Sequence, residues 1–427
     1  MAPILDRVAL IRYLADMPKV ALNSVMVALL TFSAPQSWAQ QRSTSPEDFD
    51  QVAARAEQAR STNRIEEAIE LYRKAVSLRP RWAEGWWYLG TLLYERDAFA
   101  GAAVAFGKAT ALSPKVGTAW VMLGLCEFKL DRHNDALKHI QQGRRLGASA
   151  EPQLWHVMLY HEGLLLLGKG DFERAQETLG LLSRDGVENE DLITALGLSV
   201  LRIRFSDLLA GDSALRQLVR RAGWAEYLAA NKRFDEALSE YDRLATDFTK
   251  TPNVQYAYGR FLLVSQNDEK AIAAFKREIG NDPKHLMSHL RIADTKFRLK
   301  DFAGGLPYAE EALKLNPQVP LGRCLLGLLL LETGQTARAI AELEIAKAVL
   351  PDEPKIYFAL GRAYARVGRK EDAERVRATF TRLTKQAEEA ARNGEGDQQA
   401  QSAQANSLDQ AQPSRTGRAA KGTKRKP

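Results

Sequence analysis

Six histidines and two cysteines are the side chains in this chain best suited to holding a metal or attacking a carbonyl. His285 and His289 stand four apart at the predicted start of a helix, with Asp282 just before them. That spacing presents two imidazoles on one helix face. Zinc needs a third protein ligand at about 2 Å, and the spacing specifies none, so the pair reads as hydrophilic residues near a helix start. His156, His161 and Glu162 lack the i,i+4 arrangement of an HExxH metalloprotease helix, and His133 and His139 flank a turn and a second helix with no assigned role. The sequence has no GxxxxGK[ST] phosphate loop and no GxSxG nucleophile elbow. No catalytic residue, metal or cofactor is predicted. Cys126 and Cys324 sit among apolar residues in helices far apart along the chain, which predicts two buried free thiols.

Glycines and alanines say more than these reactive residues, because they mark where helices cross. In Glu84 to Pro114, Trp86, Leu89, Gly90 and Leu93 mark one face of a first helix, and Ala102, Phe106 and Ala109 one face of a second. Small residues at Gly90 and Ala102 allow the two axes to approach to about 8–10 Å. Such a hairpin cannot bury both apolar faces alone, so it should recur.

It recurs with a period of 34 residues. The second helix carries Ala68, Ala102 and Ala136, then Ala175 out of step, then Ala237, Ala271, Gly305, Ala339 and Ala373. The first helix answers with Ala56, Gly90, Gly124, Gly163, Ala225, Gly259, Ala293, Gly327 and Gly361. Pro80, Pro114, Pro283, Pro317 and Pro351 close units where a helix must stop. With these three series the chain resembles the tetratricopeptide repeat (TPR) family across residues 49–385. The resemblance implies an all-α fold, a right-handed α-solenoid of about nine TPR-like helical hairpins. The period fails over residues 189–217, which predicts an irregular helical joint between an N-terminal array, 49–188, and a C-terminal array, 218–385.

In TPR arrays the second, fifth, ninth and twelfth positions of each unit line a concave groove that commonly holds peptides. Carried onto this register they are Glu84, Trp87, Thr91 and Tyr94 in the second unit, and Thr118, Val121, Leu125 and Phe128 in the third. Among the later units they include Tyr256, Arg260, Leu290, Asp294, Phe297, Leu328, Phe358 and Arg362. The three-residue basic clamp of chaperone-binding TPR domains is missing, since the first unit offers Ala53 and Glu57 at those places. The helix within VPLGRCLLGLLLLETG is apolar nearly all round, so either the interior is tightly wound or something covers that face. Candidates for the cover are a partner segment, residues 189–217 folding back, or a second copy of the chain.

The ends carry different signals. Lys19 precedes the apolar run Val20 to Phe32, followed by small residues at Ser37 and Ala39. This is the pattern of a signal peptide over 1–39 cleaved after Ala39, with Met17 an alternative start. An uncleaved inner-membrane anchor is the competing reading. The formal net charge is +7, and Arg415, Arg418, Lys421, Lys424, Arg425 and Lys426 form an acid-free run. Residues 394–427 therefore read as a disordered basic tail able to make weak contact with an anionic surface. The body carries no basic excess to suggest specific nucleic-acid binding. The sequence expectation is thus an exported, periplasmic or secreted, non-enzymatic scaffold or adaptor for a protein or peptide partner, in a bacterial envelope. The alternatives are a self-associating structural repeat protein and the repeat arm of an envelope enzyme complex.

Overall fold

The structure, a computed structural model, describes residues 48–148 and 152–409; the export signal and the end of the basic tail lie outside the described residues. Every regular element among these residues is a helix. Contacts divide the chain into two compact units, Met1–Ala274 and Phe275–Pro427.

The first unit opens with α1 (Phe49–Ser61) and α2 (Ile65–Leu78), then α3 (Ala83–Glu95) and α4 (Phe99–Leu112), then α5 (Gly117–Lys129) and α6 (His133–Arg145). A longer α7 (Pro152–Lys169) pairs with α8 (Phe172–Arg184). The period breaks at α9 (Glu190–Leu201), α10 (Phe205–Ala210) and α11 (Ser213–Ala230), and returns with α12 (Phe234–Asp247) and α13 (Val254–Val264). The unit boundary falls inside α14 (Asp268–Asn281), and in 189–217 α9 packs on both α8 and α11. The second unit contains α15 (Leu286–Arg298) with α16 (Phe302–Leu315), α17 (Pro320–Glu332) with α18 (Thr336–Val349), and α19 (Pro354–Arg366) with α20 (Lys370–Asp409).

Each hairpin turn needs one residue with left-handed backbone. Asn63, Asp97, Asp131, Lys232, Gln266 and Lys300 fill that place at φ between 56° and 61°, and Gly170, Gly334 and Gly368 fill it elsewhere. Only glycine adopts this conformation without a steric cost, and Asn and Asp bear it better than Lys. The crossing alanines then seal each pair. Ala68, Ala102, Ala136, Ala175, Ala237, Ala271 and Ala339 are wholly inaccessible to solvent.

A second device ties five of the hairpins to the loop before them. At the fourth position of the unit, Trp86 Nε1 donates to the Pro80 carbonyl and Trp120 Nε1 to the Pro114 carbonyl, both at 2.9 Å. In the second unit His289 Nε2 lies 3.1 Å from the Pro283 carbonyl, Arg323 Nε donates to Pro317 at 3.1 Å, and the Tyr357 hydroxyl to Pro351 at 2.7 Å. Proline ends the preceding helix and leaves its carbonyl without an intrahelical partner, so a donor six residues on satisfies it.

The interrupted stretch is a repeat with a shortened second helix. Gly197 lies 34 residues after Gly163, so α9 is a first helix in register. Its partner α10 stops after six residues, and α11 packs against α9 in its stead. The turn out of α9 uses Arg202 at φ 56°, with the Ile203 N–H returning to the Leu198 carbonyl at 3.0 Å.

In the second unit one alternative is decided and one expectation changes. The apolar α17 needs no foreign cover for most of its surface: Cys324, Leu325, Leu326, Leu329, Leu330 and Leu331 are buried within a cluster that includes Ala309, Leu343 and Leu360. Neighbouring helices on three sides account for its composition. The helix α20 also runs on through residues 394–409, past the point where composition suggests disorder. Gln and Ala dominate that stretch, and both favour helix when nothing opposes it.

Candidate partner-binding surface

In the regular hairpins α3–α6 the predicted groove residues fall into two groups. On α3, Glu84 is exposed, Trp87 and Tyr94 are half-buried and Thr91 is buried. The Trp87 ring meets Phe106 edge-on at 5.4 Å and Tyr94 meets Phe99 at 5.3 Å. Burial holds the Tyr94 phenol well above its ordinary pKa. On α5, by contrast, Val121, Leu125 and Phe128 are all buried. Val121 packs where a Cβ on Gly143 would stand, 2.5 Å away, and Phe128 stands edge-on to His161 of α7 at 4.7 Å.

The helix α7 therefore covers part of α5, and its polar groups are satisfied in doing so. Buried Glu162 accepts from Arg144 Nη1 at 3.0 Å and from Gln141 Nε2 at 3.1 Å. His161 donates Nδ1–H to the Val157 carbonyl at 2.7 Å, and burial lowers its pKa to about 4.

The same offsets counted from Gly163 and Gly197 place Tyr160, Leu164 and Leu167 on α7, and Asp191, Thr194 and Leu198 on α9, at groove positions. All six line one cavity of about 210 Å³, together with Phe128, Leu137, Leu165 and Phe205. Its rim carries His133, Asn134, Gly168 and Lys169. Tyr160, Leu164 and Leu167 follow from Gly163, already in the glycine series, whereas Asp191, Thr194 and Leu198 need Gly197, whose hairpin has no second-helix alanine because α10 is short; the interval from Gly163 to Gly197 is the signal that places them.

Beyond the cavity the first unit is closed by polar contacts. Arg260 Nη1 donates to Gln176 Oε1 on α8. The Gln176 amide donates to Glu226 Oε1 at 2.5 Å, and the Tyr241 hydroxyl donates to Glu226 Oε2 at 2.9 Å. Burial raises the Glu226 pKa against the lowering effect of Gln176, Arg260 and Tyr241. Tyr256 is wholly buried. Of the predicted groove residues of α13, Arg260 thus reaches the protein's own α8 and Tyr256 is closed off from solvent.

In the second unit Leu290, Asp294, Phe297, Leu328 and Arg362 are half-buried. Phe358 is 50% exposed, with Arg362 over its ring at 5.9 Å and Phe380 at 5.6 Å. Arg362 also donates to Glu332 Oε1.

The residues with reactive side chains are engaged locally. His285 accepts from the Ser288 N–H at 3.1 Å, capping α15, and His289 reaches the Pro283 carbonyl. Cys126 and Cys324 are buried and unbridged, and burial pushes their thiols up to about 12 and about 11. Among the described residues no group of three or more His, Cys, Asp or Glu is placed to hold a metal ion, and no helix is long and apolar enough to cross a membrane.

Comparison with known proteins adds three findings. The tetratricopeptide repeat family model matches residues 53–116, 223–285, 290–348 and 324–376. Anaphase-promoting complex subunit 3 of Schizosaccharomyces pombe is 24% identical over 142 residues, covering 33% of this chain and 21% of that protein. BBSome complex member BBS4 of Bos taurus is 21% identical over 263 residues, covering 60% of this chain and 49% of that protein. The chain thus spans half or less of the length of these relatives. Among solved structures, MamA 41-end from Desulfovibrio magneticus RS-1 matches at 21% identity and a TM-score of 0.36, covering 39% of this chain and 96% of the other.

Proposed function

The chain belongs to the tetratricopeptide repeat family, and from that premise we propose that it is a non-catalytic adaptor whose groove holds a peptide or helix of another protein. One observation carries the reading: groove positions of three successive first helices, α5, α7 and α9, converge on a single apolar cavity. Binding energy concentrates where a few anchors enter well-packed pockets. The two curated relatives are named as members of multi-protein complexes, which agrees with a role in assembly. The pattern from Lys19 to Ala39 supports export, so the adaptor's place in this proposal is the bacterial periplasm or envelope.

A photo-crosslinking amino acid placed in the full chain tests this in the host cell. Substituted at Trp87 or Leu164, it should yield discrete adducts heavier than the chain. Substituted at Val104, 61% exposed on the second helix α4, it should not. Equal adducts at all three positions, or none at Trp87 and Leu164, defeat the adaptor reading.

A further inference from the structure

We propose that the cavity between α5, α6, α7, α9 and α10 receives one bulky apolar side chain of a partner peptide, and that Asp191 at its wall takes a basic residue lying beside that side chain. This rests on the adaptor reading and specifies its partner. The walls are Phe128, Leu137, Leu164, Leu165, Leu167, Leu198 and Phe205, which reward burial of hydrocarbon. At about 210 Å³ the space is smaller than the roughly 300–1,000 Å³ of a typical small-molecule pocket, and suits a single anchor residue better than a ligand or a folded segment.

Charge selects the anchor's neighbour. Asp191 is half-buried and lines the cavity, and among the described residues it makes no ion pair and no side-chain hydrogen bond. Lys169 on the same lining is exposed. A solvated lysine gains little from an incoming acid, whereas a half-buried carboxylate without a partner gains a hydrogen bond and a counter-charge from an incoming Lys or Arg. The recognition element is therefore a Leu, Phe or Trp with a Lys or Arg within one helical turn.

The test pans a displayed random peptide library on the full chain and titrates the synthesised winners against the protein and four variants by fluorescence anisotropy. Winners should pair an apolar anchor with a basic neighbour. Leu164→Trp, which fills the cavity, should weaken them about tenfold or more. Asp191→Asn should weaken them about threefold, and that loss should vanish when the peptide's basic residue is made neutral. Should Leu164→Trp lose helicity, Thr194→Phe fills the same space from the α9 wall.

Winners indifferent to both filling variants overturn the cavity assignment. If those same winners are lost on Trp87→Ala, a groove-binding adaptor survives and only the site moves. A library that yields no winner removes both.

Discussion

The regular hairpins and the interrupted pair α9–α11 use glycine at different closeness. A Cβ on Gly90 would stand 2.8 Å from the Phe106 ring, and one on Gly327 would stand 2.5 Å from Leu343. In these two hairpins the neighbours are side chains, which can turn aside; in α5–α6 a Cβ on Gly117 would stand 2.7 Å from the Gly143 carbonyl oxygen and one on Gly143 2.6 Å from that of Gly117. On the interrupted pair, a Cβ on Gly197 would stand 1.9 Å from the Val219 carbonyl oxygen, and one on Gly223 would stand 1.8 Å from that of Ile193. There the obstacle is backbone. Shortening α10 lets α11 settle on α9 with no side-chain layer between the two glycines, so the most irregular stretch in sequence is the least forgiving in space.

That contrast can be broken most directly at the glycines. Gly223→Ala should cost about 3 kcal/mol or more, since a carbonyl must move. Gly327→Ala should stay within about 1 kcal/mol of neutral, because better helix propensity offsets the displaced Leu343. Urea titration followed by circular dichroism compares them, and equal midpoints would mean that the backbone contact is no closer than a side-chain one.

A pH series sharpens the same difference around α7. Burial lowers the His161 pKa to about 4 from the ordinary imidazole value of 6.5. As pH falls below 6.5 the unfolded chain takes up a proton that the folded chain refuses until near 4, so stability is lost across that window. The loss should be on the order of 3 kcal/mol. His161→Gln should flatten the slope between pH 7 and pH 4.5, and a slope equal to that of the unaltered protein would rule out this histidine as its source.

Smaller changes probe the regular hairpins. Trp120→Phe keeps an aromatic ring, though a smaller one, but removes the donor to Pro114, and should cost about 1 kcal/mol or somewhat more by thermal melting. Lys300→Gly relieves a left-handed lysine at φ 61° and should raise stability by about 0.5–1 kcal/mol; a drop would show that the turn gains more from the lysine side chain than it loses in backbone strain.

The fold was legible because small residues at crossings are a steric requirement, and Ala102 or Gly124 cannot be exchanged for bulk without parting two helices. The site was only partly so. Trp87 and Tyr94 sit where the register places them, partly open, but a register cannot tell that Val121 will pack on Gly143 and Phe128 on His161 of α7, or that Gln176 will reach Arg260 across 84 residues. Those contacts follow from how successive hairpins lean, which depends on many weak packing choices rather than on one marker. The fourth-position donors escaped notice for a different reason: Trp, His, Arg and Tyr share no hydropathy, only an N–H or O–H at the right height.

Those donors have a mechanical consequence. Each hook from Trp86, Trp120, His289, Arg323 or Tyr357 reaches back only six residues, to the carbonyl of the proline before it. Fastenings of such short reach cannot share a load between distant parts of the chain. Under tension applied at its ends, such a chain yields one link at a time, as a staircase of short extensions rather than a single rupture, and each slackened link leaves its neighbours fastened and ready to draw it back.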